Sequence, residues 1–96
     1  MTFEWDEAKN RTNIAKHGLS FATACRIFEG PVLTAIDDRF EYGEVRRNSI
    51  GAIEGVFVLV VTHTDRNGTT RIISARPAKR VERNTYEEAL RQGIDP

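Results

Sequence analysis

The segment VFVLVVTHTDRNGTTRIISARP, residues 56–77, specifies the central β-hairpin of this chain. An apolar run opens it and predicts a strand over residues 56–64 that is buried on both faces. The turn Asp65-Arg66-Asn67-Gly68 follows, and Asn-Gly suits the positive φ values of a tight hairpin. Arg71 to Arg76 therefore pair back on the first strand. Pro77 ends that pairing because it has no N–H to donate.

Caps, apolar periodicity and turn residues predict the elements on either side of the hairpin. Asp6 suits the N-cap of a first helix, and Gly18 suits its end. The predicted elements are a short strand at Phe3–Trp5, a helix from Asp6 through about Lys16, a second helix from Ser20 to Gly30, a strand at Val32–Ile36, a loop from Asp37 to Gly43, a strand at Glu44–Ile53, a turn at Glu54-Gly55 and a last helix from about Lys79 to Leu90. Together they predict one α+β domain over residues 1–96, with two N-terminal helices, a mainly antiparallel sheet of four to five strands and one C-terminal helix.

Composition narrows the function classes. The chain has 96 residues, of which 40% are hydrophobic and 29% charged, as in an ordinary globular domain. Its longest apolar run is far too short to span a bilayer, and no signal segment opens the chain, so we expect a cytoplasmic protein without a membrane partner. The lone Cys25 and the lack of Cys/His clusters predict neither a disulfide nor a metal or other cofactor.

Basic residues concentrate in the second half of the chain although the formal net charge is zero. Residues 46–96 hold nine Lys/Arg against six Asp/Glu, whereas residues 1–45 hold five against eight. Residues 71–83 alone contain five cations and one anion. Guanidinium groups bind phosphate in a planar, bidentate fashion, so this distribution favours recognition of a phosphodiester.

Strand alternation complicates the arginine pair in RIISAR. In a regular strand Arg71 and Arg76 face opposite sides of the sheet. They share a side only if a bulge intervenes or if Arg76 lies beyond the end of the strand, which the following proline favours. Arg76 would then form a phosphate patch with Arg80 and Arg83, while Arg71 would instead form a salt bridge with a neighbouring acid.

Motifs along nearly the whole chain resemble the BrnT family of bacterial toxins. These are Phe3-Glu4-Trp5-Asp6, Lys9, Asn13, Lys16-His17-Gly18-Leu19-Ser20-Phe21, Gly43-Glu44-Val45-Arg46, Gly51, Arg71-Ile72-Ile73-Ser74-Ala75-Arg76 and Tyr86. The resemblance implies a RelE-like ribonuclease fold and metal-independent RNA cleavage that halts translation. It also implies a BrnA-like antitoxin with a ribbon-helix-helix segment, which neutralises the toxin in a hetero-oligomer and binds operator DNA as part of that complex.

RNA cleavage without a metal needs cations that stabilise a phosphorane, and it is helped by groups that move protons. His17 and His63 are the only histidines, the residues that titrate near neutral pH. Helical spacing places Lys9, Asn13 and Lys16 on one stripe with His17 at its edge. His17 lies where the negative end of the helix dipole stabilises a proton on the ring, which suits a general acid; alternatively it only caps the helix.

Other candidates also have two interpretations. His63 either reaches a sheet rim beside the arginine strand or is a half-buried strand-end histidine with one backbone hydrogen bond. Tyr86 either stacks on a base or packs the last helix on the sheet. The predicted catalytic residues are His17, Lys16, Arg46, His63, Arg76 and Tyr86, and the predicted substrate-binding residues are Lys9, Asn13, Arg71, Arg80 and Arg83.

Two alternatives to an enzyme stay open at this point. In the first, the arginine strand grips nucleic acid or an acidic partner without catalysis. In the second, the chain is a purely structural partner with an exposed apolar interface.

Overall fold

A computed structural model describes residues 1–39, 41 and 43–93 of the chain. Phe40 and Tyr42, which fall in the predicted loop, and residues 94–96 lie outside the described part. The elements in chain order are β1 Phe3–Trp5, α1 Glu7–His17, α2 Phe21–Ala24, a 3-10 helix Cys25–Glu29, β2 Val32–Asp37, β3 Arg46–Ile53, β4 Phe57–Arg66, β5 Thr69–Pro77 and α3 Arg80–Arg91.

The strands form one five-stranded sheet in the order β1-β5-β4-β3-β2. Neighbouring strands from β2 to β5 pair antiparallel, and β1 pairs parallel with β5, so the sheet is mixed. The predicted hairpin around Asn67-Gly68 is confirmed, and its strands extend two residues closer to the turn than predicted. Within the hairpin Asn67 and Gly68 both take positive φ, as the turn requires.

The helices that precede β2 cover one face of the sheet. Asp6 and Ser20 cap α1 and α2 by accepting hydrogen bonds from backbone N–H groups, as their sequence positions predict. The second helix is not one regular α-helix. It ends as a 3-10 helix, a common way to tighten a helix end.

The hydrophobic core lies between this helical layer and the sheet. Phe21 and Ile27 from the helices are fully buried, as is Val61 at the centre of β4. Gly51 on β3 permits the close approach of the two layers, because a Cβ there would lie 2.8 Å from the Cβ of Ile27. The helical layer is therefore anchored on the middle strands.

The opposite face of the sheet is covered only in part. α3 packs on β2 and β3, where Tyr86 is its one buried residue. We call the remaining surface the open face. It carries the side chains that share a side with Asn48, Thr62 and Ser74. No helix in the described ranges has both the length and the apolar character needed to cross a membrane.

Candidate nucleic-acid interface

A bulge in β5 decides which way its arginines point. Thr62 pairs with Ser74 but the next residue, His63, pairs with Ile72, so Ile73 is an extra residue. Because of this insertion Arg71 and Arg76 both lie on the open face, opposite residues of β4 that share that side. Of the two alternatives in the sequence, the bulge is the one observed. β5 continues to Pro77, so Arg76 is not beyond its end.

Arg76 is held by Glu82 in a bidentate ion pair. Nη1 and Nη2 donate to the two carboxylate oxygens at 2.7 and 2.8 Å. One of those oxygens also accepts the backbone N–H of Lys79 at 2.8 Å, so Glu82 caps the start of α3 as well. These contacts, chiefly the one with Arg76, lower the pKa of Glu82 to about 2. The pKa of Arg76 is raised mainly by the same hydrogen bonds.

A recess on the open face, the sheet recess, contains a second fixed guanidinium. Arg39 donates to both carboxylate oxygens of the buried Asp37, at 2.8 and 3.0 Å. Carboxylates thus orient two arginine side chains before any ligand arrives, which is the arrangement that favours electrostatic stabilisation of a transition state. The recess has a volume of about 390 Å³ and is lined by Ile36, Asp37, Asp38, Arg39, Asn48, Val60, Thr62, Ser74, Arg76 and Glu82.

A second recess, the helix recess, lies between α1 and the edge of β5. Lys9 and Lys16 supply its cations from α1, whose Asn13 and His17 also line it, and Ile73 and Ser74 line it from the bulged strand. Asp6, the N-cap of α1, adds one carboxylate. Ser74 is exposed and lines both recesses. The two recesses therefore meet at this residue. We call the set Lys9, Lys16, His17, Ser74 and Arg76 the edge strip.

His63 does not join the edge strip. It lies on the face covered by the helices, where its Nε2 is 2.7 Å from the hydroxyl of Ser49 and its ring packs edge-to-face on Phe28. Burial lowers the pKa of His63, and the charge of Arg47 lowers it further. The interpretation as a strand-end histidine fits this position better than the rim. Its hydrogen bond goes to a side chain rather than to the backbone.

Tyr86 and Asn13 have structural contacts. The Tyr86 hydroxyl donates to the backbone oxygen of Pro31 at 2.7 Å, and burial raises the pKa of this phenol. Asn13 is buried in α1; its amide donates to Leu19 O at 2.8 Å and accepts from Ala75 N at 3.2 Å. Tyr86 lies away from the edge strip. Asn13 also lines the helix recess, but both the donor and the acceptor of its amide are engaged within the fold.

The remaining predicted arginines do not line the sheet recess. Arg71 pairs with Glu4 at 2.6 Å, which is the salt bridge that the sequence offered as an alternative. Arg46 lies on the open face opposite Asp37. Arg80 and Arg83 are exposed in the first turns of α3. The expected cluster of arginines is thus reduced, near the edge strip, to Arg76 with its neighbour Arg39.

Sequence reasoning missed three residues of this region. Ser74 lies inside the RIISAR motif, but its position between the two recesses depends on the bulge. Glu82 occupies the third position of α3, where a capping carboxylate is common, and this signal was available. Arg39 follows β2 in a loop without periodicity, so no pattern pointed to it.

Metal-ligating side chains do not cluster in the part of the chain that the structure describes. Within residues 1–39, 41 and 43–93, no group of three or more His, Cys, Asp or Glu side chains is placed to hold an ion. Cys25 packs against the hydrophobic core, where burial raises the pKa of its thiol to about 11.

The fold and the edge strip define a small α+β protein with cations on both sides of one strand, suited to an anionic ligand. The family model described as "Ribonuclease toxin, BrnT, of type II toxin-antitoxin system" matches residues 5–82. The chain therefore belongs to the BrnT family of ribonuclease toxins of type II toxin–antitoxin systems.

A solved structure supports this assignment. The chain is similar to the ribonuclease toxin BrnT of Brucella abortus, known from a crystal structure at 1.1 Å resolution, with 30% sequence identity and a TM-score of 0.61. The likeness covers 83% of this chain and 99% of that one. A comparison with curated proteins found no match.

Proposed function

We propose that this protein is a metal-independent endoribonuclease that cuts RNA across the edge strip and thereby blocks translation in the cytoplasm. Membership of the BrnT family supports an RNA target in general. The cleavage site, the mechanism and the RelE-like character of the fold belong to the proposal.

One observation carries the proposal: the helix recess and the sheet recess meet at Ser74. Lys16 and His17 approach this point from α1, and Arg76 approaches it from β5. A phosphodiester at Ser74 is then contacted by cations from two elements. Cations on both sides neutralise the charge that builds up on phosphorus in the transition state.

The chemistry follows from the RNA itself. The 2′-oxygen attacks the adjacent phosphorus, the bond from phosphorus to the 5′-oxygen breaks, and the products are a 2′,3′-cyclic phosphate and a 5′-hydroxyl. Water takes the proton of the 2′-hydroxyl, and protonated His17 gives one to the leaving 5′-oxygen. Arg76 and Lys16 stabilise the phosphorane, with Glu82 keeping the guanidinium in place.

The proposed partner is a BrnA-like antitoxin. Its ribbon-helix-helix segment would bind operator DNA in the complex, and an acidic segment would cover the edge strip. Type II membership supports an antitoxin in general. The positive charge of the edge strip supports an acidic antitoxin segment, because its carboxylates would compete with RNA phosphate for the same cations.

The test is cleavage of a 5′-labelled oligoribonucleotide by the purified protein in excess EDTA. We expect fragments that end in a 2′,3′-cyclic phosphate and begin with a 5′-hydroxyl. The matched control is DNA of the same sequence, which stays intact because it has no 2′-hydroxyl. Intact RNA at every protein concentration, or cleavage that EDTA abolishes, would contradict the proposal.

A non-catalytic nucleic-acid-binding module is the second candidate. The observation that favours it is the position of His63, which leaves one histidine at the edge strip. This candidate predicts that the oligoribonucleotide binds, with an affinity that falls steeply with salt, but stays uncut. The same assay therefore separates the two functions.

A further inference from the structure

An apolar recess adjoins the edge strip at the end of α1. It has a volume of about 390 Å³, and its lining includes Leu19, Ile53, Phe57, Leu59 and Pro77 together with His17. We propose that this apolar recess binds a nucleobase next to the cleaved phosphate, an inference that rests on the function proposed above.

Phe57 gives the recess an aromatic surface. It opens β4 and pairs with Ile53, and strand alternation places it on the same side as Leu59. Leu59 is buried, whereas Phe57 is 61% exposed although it is a large apolar side chain. An exposed ring at the wall of a recess offers a stacking platform, and such platforms accept any base because every base has a π-face.

His17 connects this recess to the proposed cleavage site. Its side chain lines both the helix recess and the apolar recess. One side of His17 therefore offers the cations Lys9 and Lys16, and the other offers an apolar surface. A nucleotide has the matching division, with an anionic phosphate beside a flat, largely apolar base.

Polar groups at the rim suit the edges of a base. Thr23 lines the recess, as do Arg26 and Glu54, which form an exposed salt bridge at 3.2 Å. A hydroxyl, a guanidinium and a carboxylate together offer both donors and acceptors of hydrogen bonds. Because exposed ion pairs contribute little to stability, rearranging this pair around a base costs little.

The experiment is a binding cycle between Phe57 and the base. The ligand is the RNA oligonucleotide mapped in the cleavage assay, with one 2′-deoxyribose at the cut position so that it stays intact. A second version carries an abasic residue beside that phosphate. Affinities of both for the wild type and for Phe57→Ala are measured by fluorescence anisotropy. Phe57→Tyr keeps the ring, and Val56→Ala is the matched control for an exposed apolar neighbour outside the lining of the recess.

We expect Phe57→Ala to weaken binding of the intact RNA about tenfold, within the range known for base–aromatic stacking. The abasic RNA should lose the same factor with the wild type and nothing further with the variant. Phe57→Tyr and Val56→Ala should bind within about twofold of the wild type.

If Phe57→Ala binds the intact RNA as tightly as the wild type does, the inference is overturned, but the ribonuclease proposal stays in place. If Phe57→Ala binds the intact RNA like the wild type but no longer binds the antitoxin, a protein side chain occupies the recess, and the inference is wrong. If Phe57→Ala and removal of the base weaken binding independently of each other, the base lies outside the apolar recess. If wild-type protein neither binds nor cuts the RNA, both proposals are wrong.

Discussion

Arg76 and Glu82 link the strand that carries the edge strip to the first turn of α3. The ion pair is short and bidentate, and a second hydrogen bond ties Glu82 to the start of the helix. An arginine held in this way loses little conformational freedom when it binds phosphate. Its orientation and the docking of α3 are therefore coupled.

The pair predicts a loss of stability in acid. The folded-state pKa of Glu82 lies near 2, below its ordinary value of 4.5. The stabilisation is thus complete above about pH 4.5 and is lost as the pH falls from there towards 2. The whole shift corresponds to about 3 kcal/mol, and partial exposure reduces the expected contribution to about 1–2 kcal/mol.

Urea unfolding at pH 7, 4 and 3 checks this prediction. Glu82→Gln should be less stable than the wild type at pH 7, and the difference should shrink by pH 3. Glu87→Gln, an exposed neighbour in the same helix, is the matched control and should follow the wild-type profile. A constant difference between Glu82→Gln and the wild type at all three values would contradict the role of the ion pair.

His63 predicts a separation between stability and activity. Because it is buried on the helical side, His63→Gln should cost about 1–2 kcal/mol of stability through its contact with Ser49. Cleavage by the folded variant should stay within about threefold of the wild type, since a residue that takes part in proton transfer contributes 10²-fold or more. A cleavage rate reduced a hundredfold in a folded variant would instead place this imidazole in the reaction.

The same histidine adds a pH dependence in a different window. Burial lowers its folded-state pKa below the ordinary 6.5. Its contribution to stability is therefore full above about pH 6.5 and declines as the pH falls below that value. Thermal unfolding between pH 7.5 and 5.5 should show this decline in the wild type and a flatter profile in His63→Gln.

At the scale of elements, α1 replaces a strand at the edge of β5. β1 pairs with Thr70–Ile72, and among the described residues no strand lies beside the second half of β5 on that side. The amide of Asn13 satisfies the backbone N–H of Ala75 there. Three residues earlier in α1, the amide oxygen of Asn10 accepts the N–H of Phe21. Two asparagines thus position α1 so that its cations lie along the strand.

Asn13→Ala tests this role in the packing of α1. The change leaves Ala75 N–H and Leu19 C=O without their partner, and we expect a loss of about 2–3 kcal/mol in the free energy of unfolding. Asn13→Asp keeps the acceptor but loses the donor, so its stability should lie between that of the wild type and that of Asn13→Ala. Thr12→Ala, in the same helix but exposed, should stay within about 0.5 kcal/mol. Equal stabilities for Thr12→Ala and Asn13→Ala would contradict this role of Asn13 in packing α1.

The elements themselves follow from local sequence signals. Asn67-Gly68 predicts the hairpin, Asp6 and Ser20 predict helix starts, and Gly18 predicts a helix end, because each acts on its own neighbourhood. The bulge at Ile73 has no such signal. It lies at the Thr62/His63 step of the hairpin, and two residues beyond it Ala75 donates to Asn13 of α1, which is distant in the chain. A two-residue period therefore could not decide where Arg71 points.

At the scale of the whole molecule, the cations of the edge strip come from α1 and β5, whereas the sequence predicted a cluster of arginines. Arg71 pairs with Glu4 at the side of the sheet. Arg76, which pairs with Glu82, lies across the strand edge from Lys16 and His17. Of the predicted site residues, Lys9, Lys16, His17 and Arg76 lie in the edge strip, and their roles there stay predictions. It could not show which face of the sheet His63 occupies, because a strand residue's side depends on the core that its neighbours build.

The most direct measurement is the single-turnover rate of RNA cleavage in EDTA for His17→Ala and Arg76→Ala. Each lies on one side of Ser74, so both rates should fall by about 10²-fold or more. Arg11→Ala, on the exposed surface of α1, and Arg91→Ala, at the end of α3, should cleave at the wild-type rate. A near-normal rate in either folded test variant would contradict a site that spans the edge of β5.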